Sequence, residues 1–165
     1  MSKNIQILDC TLRDGGLGLE DAEKNDLSHV RFSENDSRMT AGYLADIIEL
    51  GSIEITSDDR TGFCIYKNIE DISKQMPLKK KQNQMFAALY RGPDTPIDDI
   101  PKWNPSLCEA VRVIIRYSEL QKSLDFCAAL SSKGYKVFVQ PMLTMRYTKE
   151  EIQLLIEKSN EMNAY

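Results

Sequence analysis

Arg13 and Asp14 stand side by side in the stretch ILDCTLRDGG, Ile7 to Gly16. A guanidinium is a fixed fork of donors that stays charged at ordinary pH. It suits a carboxylate or the developing oxyanion of an enolate. A neighbouring carboxylate can bind a hard cation such as Mg²⁺ or Mn²⁺ through its oxygens. Gly15 and Gly16 permit close backbone approach and positive φ. The plain alternative is an exposed ion pair before a turn, a common arrangement worth little.

The elements that must position this pair alternate along the chain. Ile5–Cys10 reads as a short buried strand ended by Gly15-Gly16. That places Arg13 and Asp14 at the strand's C-terminal end, where ligands gather in α/β proteins. A polar loop follows from Leu17 to about Asn35, and RFSEND then opens a helix with Ser33 as its cap. Thr40–Leu50 has helical periodicity and Gly51 stops it. Ser52–Thr56 is strand two and carries Glu54. DDRTGFCIYKN is a loop and Ile69–Met76 a short helix. Gln84–Tyr90 is strand three, and the segment from Pro93 to Pro105 is a loop followed by a helical turn at Ser106–Glu109. Ala110–Tyr117 is strand four, Leu120–Ser132 a helix stopped by Gly134, and Lys136–Met142 strand five. Thr148–Asn163 is an amphipathic helix with Glu150 and Glu151 in its first turn, where the helix dipole favours them. After the first unit the strands recur about every 25 to 30 residues, as βα units of a parallel sheet do.

Composition narrows the class. The chain has 165 residues, 42% hydrophobic and 28% charged, as an ordinary globular domain has. The net charge of −4 gives no electrostatic case for nucleic acid. Lys79–Lys81 is the one basic run and reads as a solvated loop. No apolar run reaches the length of a membrane span, and the Met-Ser-Lys-Asn start is not a signal peptide. The four cysteines, Cys10, Cys64, Cys108 and Cys127, are widely spaced without C-x-x-C. They read as reduced thiols in a cytoplasmic protein, not as a zinc site or a disulfide framework.

DCTLRDGG resembles the signature of the HMG-CoA-lyase-like (DRE-TIM) superfamily of TIM-barrel metalloenzymes. The 4-hydroxy-2-oxovalerate aldolase branch is the most similar, through DGG, RFSEN, IEI in strand two and QPM in strand five. The resemblance implies an α/β fold: the N-terminal part of a (β/α)₈ barrel, about five parallel βα units in strand order 1-2-3-4-5. It implies a carbon–carbon lyase or aldolase acting through an enolate on a 2-oxo acid or acyl-CoA type substrate. Arg13 would stabilise the enolate, Asp14 would bind a divalent metal (Mn²⁺ or Mg²⁺), and Glu54 would orient a neighbour in the site. Gln140 would line the pocket or pack in the barrel interior.

The chain also departs from that pattern. A complete barrel takes about 250 residues, and no His-x-His pair is present to supply the family's other metal ligands. The only histidine, His29, lies in the polar loop. Leu17 stands where the aldolase branch has its acid-base histidine. The expectation is an N-terminal portion that binds metal weakly and is inactive alone. Its open sheet edges would be covered by a second copy or a partner chain. The alternative is a non-catalytic half-barrel, an interaction or regulatory module of the same descent.

Overall fold

The structure is a computed structural model that describes residues 5–15, 45–55, 60–76 and 83–165. The central strands are short, largely apolar runs covered on both faces, as parallel sheets require. They are β1 Leu8–Asp9, β2 Ile47–Ile53, β3 Ile65–Tyr66, β4 Met85–Tyr90, β5 Ala110–Ile115 and β6 Lys136–Pro141. Helices α1 Ile69–Ser73, α2 Leu120–Ser132 and α3 Lys149–Glu161 fall between or after them. Every pairing is parallel, and the order is β1-β2-β4-β5-β6, with β3 beside β2. The sheet curls as part of a (β/α) barrel does, with helices between strands.

Side chains alternate between two faces along each strand. Phe86, Ala88 and Tyr90 of β4 join Val111, Val113 and Ile115 of β5 in the main core. Ile69 and Ile72 of α1 and Leu124, Cys127 and Leu130 of α2 close that core from the helix side. The opposite, concave face holds a smaller cluster of Ile47, Met85, Ala87 and Ala110, with Leu8 and Phe138 against it. Tyr165 lies over this cluster. Its N–H donates to the Val137 carbonyl at 2.8 Å, its ring meets Phe138 at 5.1 Å, and its hydroxyl donates to Gln6 Oε1 at 2.8 Å. Gln6 precedes β1, at the other end of the sheet. In a flat sheet β1 and β6 would lie about 19 Å apart, four strand spacings, so only curling brings these side chains together.

The amphipathic helices, the short helix at residue 69 and strands three to five stand where the sequence places them. β2 does not. Residues 47–53 form one strand, whereas the sequence reading ends a helix at Leu50 and begins a strand at Ser52. All of Ile47–Ile53 is buried, so covering the run on both faces outweighs its helical spacing. Gly51 is not a helix stop. A Cβ there would lie 2.1 Å from the Cys64 carbonyl oxygen, which accepts from the Ser52 N–H at 2.9 Å. Beside it the register against β4 shifts between Glu49 and Ser52. The shift lets Ile48, Leu50 and Ile53 all reach the main core and leaves Glu49 and Ser52 on the concave face.

The N-terminus needs a second correction. The first strand is confined to Leu8–Asp9, and residues 11–15 are helical. The Asp14 N–H donates to the Cys10 carbonyl at 2.9 Å, and the Asp9 side chain accepts from the Thr11 N–H at 2.9 Å. An acceptor at position 9 that tucks in the amide two residues on starts a helical turn, not a flexible loop. Gly15 is therefore helical. Residues 105–106 form a turn in place of the expected helical one. The RFSEND segment, Leu17, His29 and Lys79–Lys81 lie outside the described residues.

Gly51→Ala should test the β2–β3 junction. With backbone atoms as the obstacle, the variant is expected to lose at least about 2 kcal/mol in urea unfolding. An unchanged midpoint would show that the junction has room.

Candidate functional site

The helical turn after β1 carries Arg13 over the concave face. There it meets Glu49 of β2: Arg13 Nε donates to Glu49 Oε1 at 2.5 Å. Arg112 of β5 grips the same carboxylate twice, Nε on Oε2 at 2.7 Å and Nη2 on Oε1 at 2.6 Å. Glu49 has no exposure to solvent. The neighbours explain how the pair meets. Glu49 stands opposite Ala87, which stands opposite Ala110. These two methyl groups clear a path about 10 Å wide, two strand spacings, across which Arg112 and Glu49 reach each other.

Asp14 completes the row from the solvent side. Its side chain is 62% exposed, and its Oδ1 lies 2.5 Å from Arg13 Nη1. Sequence reasoning pairs Arg13 with Asp14, and the structure brings them together. Glu54 has other company. It follows the end of β2 and is held by Arg60 at 3.1 Å and by Arg91. The carboxylate that holds Arg13 is Glu49, five positions earlier. Glu49 and Arg112 were not singled out from sequence, although each left a signal. A charged residue inside IIELGSI or AVRVII, once those runs are read as buried strands, must have a partner.

Cys10 lies at the same place. Arg112 Nη2 approaches its sulfur at 3.4 Å. Burial first, and then the Glu49 carboxylate, push its thiol above the ordinary range. Gln140 of β6 is on the concave face too, its Nε2 3.7 Å from Met142 Sδ.

A cleft of about 420 Å³ opens above these groups at the C-terminal ends of β2, β4 and β5. Glu54, Arg91, Asp94, Ile114 and Arg116 line it. Arg116 forms a two-point pair with Asp94, one arm at 2.8 Å, donates to the Arg91 carbonyl at 3.1 Å and reaches Glu119 at 3.0 Å. Gly92 makes this possible: a Cβ there would lie 2.5 Å from the guanidinium carbon. The Arg116 guanidinium holds the Asp94 carboxyl below its usual range.

Asp14 alone does not make a divalent-ion site, since such ions take several oxygen or nitrogen donors. Among the described residues no group of three or more His, Cys, Asp or Glu side chains is placed to hold one. Glu49 is already committed to two guanidiniums. Among the described residues the donor set does not fit the metal that the resemblance implies. Among the described residues no helix is long and apolar enough to cross a membrane.

Cys10 offers a direct probe of this network. With its pKa raised, less of the thiol is ionised at pH 8 than in a free cysteine, so iodoacetamide should alkylate it more slowly. Glu49→Gln removes a negative charge that opposes the thiolate, so alkylation should speed up, as peptide mass spectrometry would show. A rate equal to that of a free thiol in the unaltered chain would contradict this environment. No protein-family model and no curated protein matches the chain.

Proposed function

We propose that the concave face binds the enolate form of a 2-oxo acid or acyl-CoA type substrate, as in a 4-hydroxy-2-oxovalerate aldolase-like carbon–carbon lyase. The observation that carries this reading is the Arg13–Glu49–Arg112 network. Arg112 and Glu49 fix Arg13 from below, through Nε. The Nη1 of Arg13 faces Asp14, and the same guanidinium also bonds the Cys10 thiol. A prepositioned guanidinium edge aimed at a developing oxyanion favours the charged transition state without reorganising. Asp14 sits at the solvent side of the same guanidinium.

The reading includes no step through Mg²⁺ or Mn²⁺, because ion binding would need donors beyond Asp14. The described residues also supply no base aimed at a substrate proton beside Arg13. The 165-residue chain is therefore expected to show negligible aldol cleavage alone. A second copy or another chain is part of this proposal, since Ile5 is 91% and Ile7 57% exposed beside the edge strand β1. The second reading is a non-catalytic half-barrel module, supported by the single candidate metal donor, Asp14, among the described residues.

Oxalate separates the two. It is a planar dianion with the shape of a pyruvate enolate, and calorimetry should show that it binds the chain. Arg13→Gln should weaken it at least about ten-fold, a loss typical of one charge-assisted contact. Absence of oxalate binding, or binding indifferent to Arg13, would sink the enolate reading and leave the module.

A further inference from the structure

The cleft is polar, and the charges of its lining residues cancel. In the cleft Arg91 faces Glu54, and Arg116 faces Asp94. Below it, Ser52 is fully buried and its Oγ has no hydrogen-bond partner among the described residues. Gln140 is half-buried, and its Oε1 atom is buried with no hydrogen-bond partner among the described residues. Register puts both on the concave face. Ser52 is opposite Leu89, which is opposite Arg112, and Gln140 is opposite Ile114, which lines the cleft. Native proteins satisfy nearly all buried polar atoms, so two orphans on one face call for a partner.

Ligand chemistries can be weighed against these groups. A phosphate or carboxylate would have to displace Asp94 from its two-point hold on Arg116, or Glu54 from Arg91. An apolar chain would desolvate those four charged groups and return no hydrogen bonds. A chain of hydroxyls does neither. Each hydroxyl donates and accepts, so it can bridge a guanidinium N–H and a carboxylate oxygen while the ion pair stays intact. A hydroxyl also satisfies Ser52 and Gln140, whichever way the amide is turned. The cleft volume lies within the range of small-ligand pockets.

We infer that the half of the substrate remote from the enolate is a polyhydroxylated, sugar-like chain. Its hydroxyls lie in the cleft against Glu54–Arg91 and Asp94–Arg116, and Ser52 and Gln140 hold the oxygens nearest Arg112. This substrate class rests on the enolate reading above.

Saturation-transfer NMR on the 165-residue chain tests it, with ribitol, 1-pentanol, ribose 5-phosphate and oxalate as probes. Ribitol should bind and 1-pentanol should not. Ser52→Ala and Asp94→Asn should each weaken ribitol roughly five-fold, the loss of one hydrogen bond. If Ser52→Ala does not fold, the half-exposed Asp94 position decides. Oxalate bound with ribitol silent overturns the inference and leaves the enolate reading standing. Ribitol bound with oxalate silent supports the polyol site and removes the enolate reading. A preference for ribose 5-phosphate that fades with salt overturns the inference in favour of an anion site.

Discussion

A fully buried carboxylate between two guanidiniums sets the terms for this sheet. Removing Glu49 from water is costly, and the cost is offset only if its oxygens are held in good geometry. Three bonds do this, two from Arg112 and one from Arg13. The two arginines come from opposite sides, one from the turn after β1 and one from β5. β1, β2, β4 and β5 must therefore keep their register, and the intervening row must stay small at Ala87 and Ala110. Truncating one partner of such a group leaves a buried charge, which typically costs about 3–5 kcal/mol. The pair adds less to net stability than that, because an apolar core of equal volume could do as well. What it secures is the placement of Arg13.

The irregularity in β2 belongs to the same constraint. Without the register shift, strict alternation from Glu49 would put Gly51 and Ile53 on the concave face and Ser52 in the main core. With it, Ile53 packs among the helices and the hydroxyl of Ser52 faces inward. The shift also brings the Cys64 carbonyl against Gly51, and so anchors β3 and the turn that leads to α1. One residue without a side chain thus serves two purposes: it admits β3 at the sheet edge and re-aims the end of β2 toward Glu54 and the cleft.

Much of this was legible from sequence where local and global preferences agree. α2 ends at a glycine, α3 carries a capping box of Thr148 and Glu151, and β4 to β6 are runs of apolar residues between turn signals. β2 was misread because its leading residues also carry helical spacing, and only burial on both faces decides between the two. Arg13 and Asp14 were found by residue type. Glu49 was hidden by the same misassignment, since in a helix it would have been an unremarked surface acid. The role of Arg112 was also out of reach: its partner lies 63 positions away, and no local pattern encodes that separation.

The two polar layers differ in how far they can yield. The inner one is dry and tightly bonded, and salt screens it little, so it holds one arrangement. The rim is half exposed, with Arg91 at 42% and Asp94 at 49%, so its ion pairs are individually weak and screened by salt. A ligand can slip hydroxyls between such pairs at small cost, whereas it cannot separate Glu49 from Arg112. The division suits a site in which one group must be fixed before substrate arrives and the rest must accommodate it. The Arg13 guanidinium is fixed by its bond to the buried Glu49 carboxylate. On the proposed reading, selection among substrates falls to the rim, whose exposed side chains can change without disturbing the buried carboxylate.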